Sequence, residues 1–190
     1  MQGKFISFEG PDGAGKTSVL RAIVERLTPL LGDRLLLTRE PGGFHNEIAE
    51  EIRDVILDPE HIEMDARTEV LLYAASRRQH VAQTILPALQ AGKIVISDRY
   101  VDSSIAYQGG GRQLGEQVVA DINAYAIDGL YPDKTVYLNI APEIGLQRIQ
   151  TTRQDEINRL DTESLAFHQR VSDAYHRLAA KDVDRFIMIN

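Results

Sequence analysis

The chain contains no cysteine. Disulfides, thiolate nucleophiles and cysteine-ligated metals are therefore excluded. No apolar run approaches the ~20 residues that a membrane helix needs. The opening Met1-Gln2-Gly3-Lys4-Phe5-Ile6 has too little apolar content for a signal peptide. There is no low-complexity tract. The five histidines, His45, His61, His80, His168 and His176, show no metal-ligand spacing and no nucleophile partner, and are read as structural or solvated. Nothing marks a catalytic triad. No Asn-Lys dipeptide occurs, so the Asn-Lys-x-Asp guanine reader of a GTP switch is missing. A basic surplus is also absent: Lys and Arg number 21 against 28 Asp and Glu, for a net charge of −7. That balance argues against a nucleic-acid binder working through a basic surface. What remains is a chain of 190 residues, 43% hydrophobic, enough for the core of one domain spanning 1–190. It is expected to be soluble and cytoplasmic, with no nucleic-acid or membrane partner.

The stretch that organises the chain is Gly10-Pro11-Asp12-Gly13-Ala14-Gly15-Lys16-Thr17, followed by Ser18. It fits the P-loop pattern of glycine, four variable residues and Gly-Lys-Ser/Thr. Lys4-Phe5-Ile6-Ser7-Phe8-Glu9 ahead of it reads as a buried strand. Behind it Val19, Leu20, Ile23, Val24 and Leu27 recur at helical spacing. In a strand–turn–helix context the glycines let backbone N–H groups surround a phosphate, and the helix start adds its positive dipole end. Lys16 can reach the β- and γ-phosphates of a nucleotide, and the Thr17 hydroxyl can ligate Mg²⁺.

Further strands are read at Leu35-Leu36-Leu37-Thr38, Lys93-Ile94-Val95-Ile96-Ser97, Thr135 to Ile140 and Arg185 to Ile189. Between them, helical patterns cover a segment with Ile48, Ile52, Val55 and Ile56 on one face, a long stretch from about Asp65 to Ala91, and a run from roughly Glu116 to Ile127. Two more run from Pro142 to Ile149 and from Glu163 to Ala180. Val101 to Gly111 is polar and glycine-rich. Alternating strands and helices predict a five-stranded parallel sheet with helices on both faces, the P-loop NTPase fold, with a short lid near 148–160. Ligands of such sheets bind outside the carboxyl ends of the strands. The P-loop, Arg39-Glu40-Pro41-Gly42-Gly43 and Asp98-Arg99-Tyr100 all stand at such ends, so three distant motifs converge on one crevice.

There Asp98 is a candidate Mg²⁺ holder, directly or through water. Arg39 and Arg99 carry guanidinium forks that suit phosphate oxygens bidentately. Together they imply a second anion opposite the P-loop, which disfavours an uncharged acceptor such as a deoxynucleoside. Tyr73 and Arg77, four residues apart, share a helical face. Periodicity alone favours a half-buried tyrosine beside a solvated arginine; the alternative is a ring and a guanidinium that meet a planar base. Arg148 to Arg159, with Arg153 between them, reads either as a solvated loop or as a lid that folds arginines over a transferring phosphoryl group and excludes water. No general base is needed if the acceptor is itself a phosphate, already ionised at neutral pH.

The motifs together resemble the bacterial thymidylate kinases. The resemblance spans essentially the whole chain and rests on Glu9 to Thr17, Thr38-Arg39-Glu40-Pro41-Gly42-Gly43, Ala74-Ala75-Ser76-Arg77-Arg78 and Asp98 to Gly109. Gly129-Leu130-Tyr131-Pro132-Asp133 and Asn158-Arg159-Leu160-Asp161 complete it. It implies transfer of phosphate from ATP, with Mg²⁺, to dTMP. Lys16, Asp98, Arg99, Arg148 and Arg153 are the implied catalytic groups. Asp12 resembles the acidic residue that meets the sugar 3′-hydroxyl, and Arg39 and Arg99 resemble the clamps on the dTMP phosphate, with Glu40, Pro41 and Arg53 beside them. Arg77 is implied at the thymine edge with Ser103, Ser104 and Gln108 near it, and Tyr107 beneath the sugar, where it leaves no room for a 2′-hydroxyl. The lid arginines Arg148 and Arg153 match the subtype whose P-loop carries Gly13 instead of arginine. Tyr73 stands where the family usually stacks a phenylalanine on the base. The family also usually continues into a last helix past the fifth strand, whereas this sequence stops at Asn190. A homodimer through apolar helix faces is implied as well.

Overall fold

A computed structural model describes residues 3–152, 160 and 163–190. Five strands, β1 (Lys4–Glu9), β2 (Leu35–Arg39), β3 (Ile94–Asp98), β4 (Lys134–Leu138) and β5 (Phe186–Ile189), form one sheet in the order β2-β3-β1-β4-β5. Every pairing is parallel. The helices are α1 (Lys16–Leu31), α2 (Glu47–Leu57), α3 (Ala66–His80), α4 (Leu86–Gln90), α5 (Val101–Ser104), α6 (Glu116–Ile127), α7 (Pro142–Thr152) and α8 (Leu165–Lys181).

Both faces of the sheet are covered, as its apolar strands require. Along β1 and β3 the side chains alternate between two clusters. Phe5 and Val95 pack with Val81, Ile85 and Tyr100 on one face, while Phe8 and Ile96 pack with Leu20 of α1 on the other. The Phe5 and Tyr100 rings meet edge to face, 4.8 Å apart at 80°, a geometry that contributes about 0.5–1.5 kcal/mol beyond the buried area. A third cluster, with Tyr107, Phe167, Val171, Ala174 and Tyr175 among its members, lies between α8 and the segment 105–111.

The expected long helix over 65–91 is one helical path with an interruption. Asp65 caps α3 by accepting from the Arg67 and Thr68 N–H groups, and a π-helical turn over Val81–Ile85 leads into α4. On α2 only part of the expected apolar face is covered: Ile56 is buried, but Ile48 and Val55 are exposed. The glycine-rich stretch 101–111 is helical and almost wholly buried, α5 followed by a π-helical turn over Ile105–Gly111. Its glycines serve close approach: a Cβ on Gly110 would meet the Ala174 Cβ at 2.7 Å, and one on Gly111 the Phe167 ring at 2.6 Å.

Register sets the site. Phe8 of β1 and Arg39 of β2 are both paired with Asp98, so three strands end in one row. The loops that follow them open on the same edge. The seventh helix carries the first residues of the expected lid, 148–152; Arg153, Asn158, Arg159 and Asp161 lie outside the described residues.

Candidate active site

At that edge lies a cavity of about 1190 Å³. It is lined by nearly every residue that the sequence singles out, from Asp12, Lys16, Thr17 and Ser18 on one side to Tyr73, Arg77, Ser104, Tyr107 and Gln108 on the other. Gly10, Pro11 and Ala14 stand behind the lining, and Arg153 lies outside the described residues. Seven basic and four acidic side chains line it, in a chain whose net charge is −7. The positive charge is concentrated where ligands enter.

On the P-loop side, Gly15 caps α1 with φ 87°, a left-handed conformation that favours glycine. The first turn of α1 holds no acidic side chain and its cap makes no side-chain bond. Its leading N–H groups are therefore left for an anion. Lys16 donates to the carbonyls of Gly10 and Pro11, both at 3.0 Å. Burial, with Arg99 nearby, pushes its ammonium down to about 8. Asp98 at the end of β3 keeps a buried Oδ1 with no hydrogen-bond partner.

Asp12 and Arg99 form the floor. Arg99 holds a left-handed φ of 70°. Its guanidinium donates to Asp12 Oδ1 at 2.7 Å, to the Gly10 carbonyl at 3.0 Å and to Ser103 Oγ at 2.9 Å. The Tyr107 hydroxyl donates to Asp12 Oδ2 at 2.6 Å and accepts the Asp12 N–H at 3.1 Å. Burial opposes ionisation of Asp12, yet Arg99, Lys16 and Tyr107 together hold its carboxyl well below the usual range. Beneath Arg99 lies Glu9, fully buried, accepting from the Tyr100 N–H, Ser103 Oγ and the Tyr175 hydroxyl. Burial, then the charge of Asp102, pushes this carboxyl up to about 7.

Beside this floor, Arg39 and Arg53 converge on one acceptor. Arg39 Nη1 lies 3.1 Å and Arg53 Nη1 2.7 Å from the Pro41 carbonyl. One carboxylate, Glu50, answers them, 2.8 Å from Arg39. Burial and the neighbouring Arg39 both lower the Arg53 pKa. Two cations held together over one carbonyl suit an anion with several oxygens.

At the far end Arg77 is not solvated; it is 2% exposed. It donates to Glu40 at 2.6 Å, Ser104 at 3.0 Å, the Tyr100 carbonyl at 3.2 Å and Asn123. Glu40 also meets His80 Nδ1, whose Nε2 meets Thr38 Oγ1. Glu40 thus acts inside the wall, fixing Arg77. Tyr73 and Arg77, both on α3 and both buried, line this end of the cavity together. His80 is buried and structural, one of the two readings the sequence allows, whereas the partner roles of Glu9, Thr38, Asn123 and Tyr175 carry no local signal in the sequence.

The lid side begins with a backbone contact. A Cβ on Gly13 would lie 2.3 Å from the Gly145 carbonyl, and one on Gly145 2.4 Å from the Asp12 carbonyl. The seventh helix therefore rests directly on the P-loop, and Arg148 Nη1 donates to the Gly13 carbonyl at 3.1 Å.

The thymidylate kinase family model matches residues 8–190. A thymidylate kinase of Levilactobacillus brevis is 60% identical over 191 residues, covering 100% of this chain and 88% of that protein. One from Geobacillus sp. is 56% identical over 190 residues, covering 100% and 89%. The crystal structure of thymidylate kinase from Ehrlichia chaffeensis superposes with a TM-score of 0.81 at 32% identity, covering 100% of this chain and 94% of that one.

Proposed function

The chain belongs to the thymidylate kinase family, and from that premise we propose how its own residues divide the work. The enzyme phosphorylates dTMP to dTDP, with ATP as the phosphate donor. The observation that carries the assignment of residues is the single cavity joining Lys16 and the start of α1 to Arg39, Arg99, Tyr107 and Arg77.

The loop from Gly10 to Ser18 cradles the ATP phosphates, with backbone N–H groups as donors at every position but Pro11, which has none, and Lys16 on the β- and γ-phosphates. Thr17 and Asp98 would hold Mg²⁺. The unpartnered, buried Asp98 Oδ1 fits that role, since Mg²⁺ keeps its waters and takes few protein ligands beside substrate phosphates. When bound, the ion offsets negative charge on the phosphate oxygens.

Arg39, Arg53 and Arg99 take the dTMP phosphate. Asp12 and Tyr107, locked to each other, receive the deoxyribose, and the Tyr107 ring occupies the room a 2′-hydroxyl would need. Tyr73 stacks on thymine; Arg77, Ser104 and Gln108 meet its edge, with Glu40 and Pro41 shaping the wall and Ser103 setting Arg99. Because the acceptor is an ionised phosphate, these residues need only align it in line with the γ-phosphoryl group and neutralise charge. Arg148, whose guanidinium meets the Gly13 carbonyl, and Arg153 supply transition-state charge within the single domain. We further propose a cytoplasmic homodimer. No described helix is long and apolar enough to cross a membrane. Leu71 on α3 and Val118 and Tyr125 on α6 leave apolar surface uncovered, Tyr125 being 91% exposed.

The test is a coupled ADP-release assay with ATP and Mg²⁺ across dTMP, dUMP, dCMP, dGMP, AMP, CMP, UMP and thymidine. Strong turnover on dTMP with weak dUMP supports the assignment. Preference for ribonucleotides or thymidine would overturn the roles of Tyr107, Arg39 and Arg99.

A further inference from the structure

The two ends of the Gln108 amide stand in different situations. Gln108 is 1% exposed and lines the far end of the cavity. Its Nε2 donates to Glu69 Oε1 at 2.8 Å, while its Oε1 has no hydrogen-bond partner. Glu69, on α3, is fully buried and forms an ion pair with Arg112, whose Nη2 lies 3.2 Å from Oε2.

An amide is nearly isosteric end for end, so Gln108 by itself could turn a donor or an acceptor toward a ligand. An ionised carboxylate only accepts. Turning the amide over would set its carbonyl oxygen against Glu69 and break the bond that Nε2 now makes. With Nε2 committed, Oε1 is the open polar valence that Gln108 offers. Arg77, also in this wall, has all but one of its N–H donors engaged by Glu40, Ser104, Asn123 and the Tyr100 carbonyl. Gln108 and Arg77 thus offer one fixed acceptor and one fixed donor, while the Ser104 hydroxyl, which accepts from Arg77, can turn to either role. A thymine edge presents the complement, an N3–H donor and an O4 acceptor; a cytosine edge presents the reverse, an N3 lone pair and an amino group.

We propose that Glu69 is a specificity-determining positioning residue. By fixing the Gln108 amide with its oxygen open, it makes the site accept 4-keto pyrimidine nucleotides and reject 4-amino ones. This rests on the reading of Gln108 and Arg77 as base contacts. Glu69 itself does not touch the nucleotide; it acts through Gln108.

The experiment is steady-state kinetics on dTMP, dUMP and dCMP for the wild type, Glu69→Gln, Gln108→Met and the double variant, each checked for a cooperative melt. An amide at position 69 can donate as well as accept, so Gln108 is freed to turn. Glu69→Gln is expected to lower the dTMP:dCMP ratio of kcat/KM by about tenfold or more, the scale of one buried hydrogen bond in discrimination. The dTMP:dUMP ratio and the KM for ATP stay as they were. In the Gln108→Met background the same change at Glu69 leaves the dTMP:dCMP ratio unmoved, which a merely structural role would not predict. If Gln108→Met lowers the ratio and Glu69→Gln does not, the inference is overturned while the base contact stands. If Gln108→Met leaves the ratio intact, the base contact itself is wrong and the inference goes with it. Should Glu69→Gln fail to fold, Glu69→Asp keeps the charge beside Arg112 but withdraws the acceptor from Gln108. It is expected to lower the same ratio, and an unchanged ratio overturns the proposal.

Discussion

Arg99 Nη2 lies 2.7 Å from Asp12 Oδ1, an ion pair that ties the end of β3 to the P-loop across the floor of the cavity. The same guanidinium touches the Gly10 carbonyl, Ser103 and, at 3.3 Å, the hydroxyls of Tyr107 and Tyr175. The donor loop and the acceptor floor are in this way one hydrogen-bonded unit. If Arg99 takes the acceptor phosphate as proposed, that phosphate meets a cation already oriented by Asp12, and orientation is most of what phosphoryl transfer between two phosphates requires.

Arg99→Lys preserves the charge and loses the fork. We expect the KM for dTMP to rise by about tenfold or more, while the KM for ATP changes by less than about twofold, as loss of a charge-assisted contact on one ligand implies. Arg99→Ala does the same more severely and also lowers the melting temperature, because Asp12 is left half-buried without its ion-pair partner. Measuring both Michaelis constants decides the matter: equal changes for the two substrates would remove Arg99 from the acceptor role.

Glu9 gives a pH-dependent contribution to stability. Its carboxyl sits near 4.5 in the unfolded chain and about 7 in the folded one. The native state therefore binds the extra proton between those values, and stability falls as pH rises through that window. Above about 7 the whole cost of the buried charge is present. Glu9→Gln imitates the protonated form and can keep the Tyr100 N–H bond. The difference in melting temperature between the variant and the wild type should therefore grow in the variant's favour from pH about 5 to about 7.5. A constant difference would mean that Glu9 does not titrate there.

The sequence made the P-loop, the strand ends and the row of arginines readable because each is a local pattern: spacing around glycine, a β-branched run, a basic residue after it. Tyr175 and Glu9 were not readable as partners, since 166 residues separate them and nothing local marks a tyrosine that will hydrogen-bond a buried carboxylate. Arg77 shows the limit from the other side. Helical periodicity favoured a solvated guanidinium, and only the convergence of Glu40, Ser104 and Asn123 from three other segments makes its burial affordable. The stretch 101–111 is legible from sequence only as polar and glycine-rich, not as helix, for a different reason. Glycine usually marks a turn, but Gly110 and Gly111 are there to admit Ala174 and Phe167, contacts that exist only once α8 has packed.

Lys16 carries a prediction of opposite sign. Its ammonium is pushed down to about 8 by burial and by Arg99, so the free enzyme loses this charge as pH rises through about 8. A phosphate in the loop favours the charged form. With dTMP saturating, kcat/KM for ATP should fall above pH about 8 while kcat holds to a higher pH, because the bound nucleotide restores the proton. A flat kcat/KM profile to pH about 9.5 would show that another group supplies the charge. Lys16→Met should lower kcat on the order of 10²-fold or more, the usual cost of one preorganised transition-state donor.

Gly145 is the place where two ordinary effects compete. Replacing a glycine inside a helix by alanine favours the helix by roughly 0.5–1 kcal/mol. Against that, the new Cβ in α7 would stand 2.4 Å from the Asp12 carbonyl oxygen and 3.4 Å from Ile140. The obstacle is backbone, so no rotamer relieves it, and overpacking of this kind costs about 1–3 kcal/mol. The clash should win: Gly145→Ala is expected to melt below the wild type. Relief requires α7 to lift off the P-loop, which carries Arg148 away from the Gly13 carbonyl it now meets at 3.1 Å. Turnover should therefore fall while the KM for dTMP, set on the other wall, stays close to its original value. A variant that melts higher, with unchanged kcat, would show that the helix slides freely and that the glycine pair does not position the lid.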